Sequence, residues 1–176
     1  MFEGDIFDVY QWEQELFDGS KKIFEKVRRQ DTVVIIPSTK DGKLIFIKDE
    51  QPSREAISSF PSGRMDKEGE EPLATAQREL LEETGYESEE WSLYKAYQPV
   101  TKVDWAIYVI VAKRCQKTQE AQPGPGEKIT LSLVTLDFVL EHVHDEHFDN
   151  GDVGMDLLEA KYNPEARKLL ENRIFS

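Results

Sequence analysis

The stretch that decides the fold runs Gly63-Arg64-Met65-Asp66-Lys67-Glu68-Gly69-Glu70-Glu71-Pro72-Leu73-Ala74-Thr75-Ala76-Gln77-Arg78-Glu79-Leu80-Leu81-Glu82-Glu83-Thr84-Gly85-Tyr86. Its second half is punctuated as a helix over 72–84, with Pro72 in the first turn, good helix formers inside and Gly85 just past the end. At about 100° per residue, Glu79, Glu82 and Glu83 fall within an arc of about 100° on one face. Leu73, Ala76, Leu80 and Thr84 share the neighbouring face and are expected in the core. Three carboxylates on one face repel, by roughly a few tenths of a kcal/mol per exposed pair and more once desolvated. Arg78, beside Glu79 and four residues before Glu82, relieves only part of that. Hard oxygen ligands suit Mg²⁺ or Mn²⁺, so a divalent ion among the carboxylates would make the arrangement favourable.

The rest of the chain supplies the frame. Two hairpins precede the helix: residues 6–16 and 20–29 around Asp18-Gly19, then Thr32–Ile36 and Leu44–Ile47 around Asp41-Gly42. The unbroken apolar run Val33–Ile36 reads as a strand buried on both faces. Strands are expected at 92–98, 105–113 and 129–134, a loop at 116–128, and helices at 136–143, 153–160 and 164–174, the last capped by Asn163. This order is α+β.

With 176 residues, a 39% apolar share and a net charge of −13, the chain is long enough for one core and is a poor partner for nucleic acid or anionic membrane. No run approaches the ~20 apolar residues of a membrane helix. The acidic start lacks the order of a secretory signal, and a lone Cys115 forms no internal disulfide, so a soluble cytoplasmic protein is expected. An acidic protein acting on an anion must recruit positive charge locally, and a bound divalent cation would do so.

The quoted stretch resembles the box of the Nudix hydrolases, G-x5-E-x7-R-E-U-x-E-E-x-G-U with U apolar. From Glu70 onward the match is complete, taking Tyr86 as the final apolar position. Six residues rather than five separate Gly63 from Glu70, an insertion placed in the Arg64–Gly69 loop, where helix phase is untouched. The resemblance implies the Nudix fold, an α/β/α sandwich around a mixed β-sheet, here with an N-terminal antiparallel hairpin. It divides the chain into that hairpin (1–30) and a hydrolase domain (31–176) with the box helix at 72–84. It implies Glu79, Glu82 and Glu83 as metal ligands, Glu70 as a further ligand, Arg78 as their orienter, and Mg²⁺, with Mn²⁺ as substitute, as cofactor. The implied reaction is attack of water on a phosphorus of a nucleoside diphosphate linked to another moiety.

Beyond the box the chain is similar to the ADP-ribose or nucleotide-sugar pyrophosphatase branch. Gln51 and Arg54 stand where that branch has a Gln-aromatic-Arg element, and with Gly63 they are the candidate substrate contacts. Ser59 stands where the branch often has a glutamate. Glu127, in a Gly-Pro-rich loop ahead of Ile129, is the candidate general base, with an ordinary exposed loop glutamate as the alternative; Glu120 is the fallback, and Glu82 or Glu83 could serve directly. Trp12, with Tyr10 and Phe24, is the candidate nucleobase platform, against a core or subunit-interface role, and the hairpin is expected to serve a homodimer. His142, His144 and His147 read as a solvated helix end. Competing functions are an (oxidised) nucleoside triphosphate pyrophosphatase and a non-catalytic nucleotide-binding sensor.

Overall fold

The computed structural model describes residues 2–52, 54–124, 126–149 and 152–176, with Arg54 described in its backbone only. The elements, in chain order, are β1(Phe7–Glu15), β2(Lys21–Arg29), β3(Thr32–Thr39), β4(Leu44–Gln51), β5(Arg54–Ser59), β6(Ser62–Arg64), α1(Pro72–Thr84), β7(Tyr86–Glu87), β8(Glu90–Tyr97), β9(Val103–Asp104), β10(Ile107–Lys117), β11(Lys128–Val134), α2(Leu136–His142), β12(Phe148–Asp149), α3(Gly154–Tyr162) and α4(Pro164–Phe175). The main sheet runs β12-β5-β4-β3-β10-β7, with β11 on β4, β6 on β3 and β8 on β10. It is mixed, because β3 and β10 pair in parallel while β3 with β6 and β4 with β11 are antiparallel.

Strand alternation sorts the core into two layers. Val33, Ile35, Ile45 and Ile110 pack with Ala76 and Leu80 of α1. Val34, Ile36, Phe46 and Val109 face the other way, against Val139 of α2, Leu157 of α3 and Ile174 of α4. The apolar run in β3 is therefore buried on both sides, and the expected α/β/α sandwich is present.

The first hairpin stands apart in a small sheet of order β1-β2-β9. Its turn closes through Leu16 N donating to Ser20 O at 2.7 Å, with Gly19 at φ 80°. In-register pairing runs from Phe7↔Arg29 to Glu15↔Lys21.

Two expectations need correction. Leu73 is not in the core: it is 44% exposed, because it lines an open groove with Trp91, Leu93 and Tyr108. Thr75 takes the buried position and donates its hydroxyl to Glu70 at 2.9 Å. The strand expected to end at 113 continues to Lys117 past an irregularity between Ala112 and Cys115, where Arg114 takes φ 53°.

Leu80, fully buried where α1 meets β3, β4 and β10, tests this packing. Leu80→Ala should cost about 2–5 kcal/mol in chemical denaturation; a loss comparable to a surface substitution would contradict the placement of α1.

Candidate active site

The carboxylates are set by two helix ends and one strand. Glu71 enters α1 in an extended conformation, Pro72 starts it, and Gly85 ends it in the left-handed region (φ 74°), donating its N–H to Leu81 O. Upstream, Gly69 at φ 73° and the Glu70 N–H on Lys67 O at 3.1 Å form the tight turn that absorbs the extra loop residue. Glu70 therefore still reaches the helix.

Arg78 gathers the acids. Its Nε and Nη2 donate to Glu70 at 3.2 and 3.1 Å, and its Nη1 to Glu79 at 2.7 Å and Glu82 at 3.2 Å. Nη2 also reaches Asp66 at 3.4 Å and the Arg64 carbonyl at 3.3 Å, neither of which the motif specified. The side chains of Arg78, Glu70 and Glu79 are only 15%, 13% and 14% exposed, whereas Glu82 is 46% exposed. Hydrogen bonding from Arg78 holds the Glu70 pKa below its ordinary value, and the same acids raise that of Arg78.

Glu79 and Glu83 behave oppositely. Burial pushes Glu79 up to about 6 despite Arg78 beside it. Burial raises Glu83 well above the carboxylate range, and the charges of Glu79, Glu127 and Asp49 add to the effect. One bond offsets this in part: the Ser62 N–H donates to Glu83 at 3.1 Å. Being a backbone group, that donor leaves no side-chain signature in the sequence. Asp49, buried near the end of β4, accepts from Gln51 Nε2 at 2.9 Å.

Gly63, a candidate substrate contact, lies against Glu79. A Cβ on Gly63 would lie 2.0 Å from Glu79 Cδ, so any other residue there would force the Glu79 side chain to shift. The loop carrying Glu127 is pinned to the C-terminal end of α1: Gln122 N–H donates to Glu82 O at 2.7 Å and Thr118 N–H to Gly85 O at 2.9 Å. A Cβ on Gly85 would meet Gln119 O at 2.1 Å. Glu127 itself is exposed and accepts from Gly124 N–H at 3.1 Å. Its charge is felt at Glu83, so the two acids are electrostatic neighbours.

The matching family model is the NUDIX domain, over residues 28–153. The chain belongs to the NUDIX family. It is 33% identical over 150 residues to a methanol dehydrogenase activator from Bacillus methanolicus, covering 83% of this chain and 80% of the relative. It is 32% identical over 146 residues to an ADP-ribose pyrophosphatase from Bacillus subtilis (strain 168), covering 81% and 78%. The fold matches the crystal structure of an ADP compounds hydrolase with a TM-score of 0.75 at 21% identity, covering 98% of this chain and 91% of that one. The protein is a Nudix hydrolase, and Nudix hydrolases generally use a divalent metal.

The residues suit such an ion by chemistry, since Glu70, Glu79, Glu82 and Glu83 are all hard oxygen donors and burial disfavours the charge on Glu79 and Glu83. Among the described residues, however, no three acidic or metal-binding side chains converge on one point. Glu79 and Glu82 are turned onto Arg78. Not every expected contact joins the box: Trp12, 38% exposed on β1, contacts Tyr10 and Phe24 rather than the carboxylates. Gln51 ends β4, and the side chain of Arg54 lies outside the described residues.

The raised pKa values have a stability consequence. Folded Glu79 and Glu83 hold protons that the unfolded chain releases near 4.5, so their contribution is most favourable below 4.5 and is lost as pH rises through about 6 for Glu79 and higher for Glu83. Metal-free protein should therefore lose Tm from pH 4.5 upward through 6, and Glu79→Gln should flatten that decline. An identical slope in the variant would refute the assignment.

Proposed function

We propose that this Nudix hydrolase cleaves the pyrophosphate of ADP-ribose or a related nucleotide sugar, giving NMP and a sugar phosphate. The observation that carries the reading is the set of box acids held by Arg78, with Glu83 buried at the Ser62 N–H. The kinship to an enzyme named for ADP-ribose pyrophosphate hydrolysis supports the substrate class.

In this reading Glu79, Glu82 and Glu83 hold the ion, Mg²⁺ by its fit to carboxylate oxygens, and Glu70 is a further donor. When bound, the ion neutralises the diphosphate and lowers the pKa of a coordinated water. Arg78 orients the acids, staying on Glu70 while Glu79 and Glu82 turn away from it. The Glu127 carboxylate takes the proton of the attacking water. Its loop, tied to the α1 carbonyls, keeps it within electrostatic reach of Glu83 as the P–O bond breaks. Gln51 and Arg54, side by side across β4 and β5, contact the phosphate or ribose. Gly63 acts here through Glu79.

Residues 1–30 act as an arm on the 31–176 hydrolase domain. The arm exposes Phe7 and Ile23 on one face of the hairpin and Trp12 on the other, apolar side chains suited to a homodimer, with Trp12 left for a nucleobase or for the partner. A cytoplasmic setting fits the one cysteine, which is buried and whose pKa burial raises to about 12. No helix among the described residues is long and apolar enough to cross a membrane.

With Mg²⁺ and ADP-ribose, the products should be AMP and ribose 5-phosphate, identified by chromatography. Glu82→Gln and Glu83→Gln should each lower kcat by orders of magnitude in folded protein, and near-normal turnover in both would overturn the metal assignment. Glu127→Gln should lower kcat by about 10²–10⁴ with little change in substrate affinity; unchanged turnover would remove it as the base.

A further inference from the structure

β2 ends in two consecutive arginines with different surroundings. Arg28 pairs with Asp104 at 3.2 Å. Arg29 places its guanidinium 4.3 Å from the centroid of the Trp105 ring and 5.8 Å from that of Phe7. Its Nε is buried and has no hydrogen-bond partner. Burial holds the Arg29 pKa below the ordinary guanidinium value, and the positive charge of Arg64 pushes it the same way.

Arg64 reaches this patch from β6. The register sets it opposite Thr32, so both side chains emerge on one face of the sheet. Thr32 Oγ1 accepts from Trp105 Nε1 at 3.0 Å, which ties that face to the ring under Arg29. The neighbouring Gly63 points the other way, toward Glu79. The two arginines therefore stand back to back with the box acids, separated by one short strand.

The pairing of like charges is unusual in this chain. Acids outnumber Lys and Arg by 35 to 22, and Arg28, Arg78, Arg114 and Arg167 all form ion pairs. Among the described residues, neither Arg29 nor Arg64 forms an ion pair. A partly desolvated guanidinium with an unmet donor beside a second positive charge disfavours the folded state unless an anion joins them.

We propose that Arg29 and Arg64 form a binding site for a phosphoryl group, with the Trp105 ring as its apolar wall. Two guanidinium forks offer the charge and the multiple N–H donors that a tetrahedral dianion accepts. The anion is either a phosphate on the substrate or product, reaching around β6 from the carboxylates, or a free phosphate ion acting from the opposite face. Only the first source rests on the pyrophosphatase reading.

The test begins with metal-free protein and inorganic phosphate, followed by thermal unfolding and tryptophan emission. Phosphate should raise the Tm of the wild type and change its emission. Arg64→Gln should abolish both responses while leaving the Tm in phosphate-free buffer unchanged or higher, because a like charge has been removed. Arg64→Lys should restore part of the response, and Arg28→Gln should keep all of it. No phosphate response in the wild type, or equal responses in wild type and Arg64→Gln, overturns the site, as does a fall in the phosphate-free Tm of Arg64→Gln. Kinetics in phosphate-free buffer with Mg²⁺ and ADP-ribose then assign the source. A raised KM at unchanged kcat in Arg64→Gln places the phosphoryl group on the substrate; an unchanged KM with loss of phosphate sensitivity places it on the free ion. Because the first stage contains neither nucleotide nor metal, it can succeed or fail independently of the proposed activity.

Discussion

One guanidinium organises this molecule's chemistry. Arg78 bonds to Glu70, Glu79 and Glu82 at once, and without it three like charges would share its surroundings with no cation between them. The position of Arg78 follows from helix phase, which puts it next to Glu79 and one turn from Glu82. Glu70, outside the helix, is brought to it by the turn at Gly69 and held there by Thr75. The acids thus reach a site that one cation alone does not neutralise, since burial still disfavours the charge on Glu79 and Glu83. In the proposed reading, that residual imbalance favours the addition of a divalent ion.

The site is tied to the fold at two glycines. Gly63 lets the Glu79 side chain cross β6, and Gly85 ends α1 while leaving room for the carbonyl of Gln119. Through the second contact the 118–122 segment rests on the last carbonyls of the helix that carries Glu82 and Glu83. Helix and loop are therefore connected by backbone hydrogen bonds, helix and strand by the Ser62 N–H on the Glu83 carboxylate, and a shift in α1 would move the segment leading to Glu127.

Much of this was legible in the residues. The helix ends, the arc of glutamates and the doubly buried β3 follow from local rules of periodicity and capping, and a motif of fixed spacing specified the family. Leu73 departs from the expectation because periodicity reports which residues share a helix face but not how closely the sheet beneath packs against each of them. The packing of Gly63 against Glu79 depends on how β6 meets α1, a tertiary relation with no local sign. The Ser62 N–H on Glu83 was invisible for another reason, since any residue but proline could supply it. Arg29 and Arg64 lie 35 positions apart and become neighbours only through the β3–β6 register. Trp12 was expected near the nucleobase, yet within one chain its ring contacts are confined to the hairpin.

The central claim is that the box acids exchange Arg78 for a divalent ion. A crystal grown with Mn²⁺ and measured at the manganese absorption edge tests it directly. The account predicts an anomalous peak bonded to oxygens of Glu79, Glu82 and Glu83, with Arg78 withdrawn from Glu82 and still on Glu70. A structure with Arg78 still bridging Glu79 and Glu82, and no manganese bound to those oxygens, would contradict it.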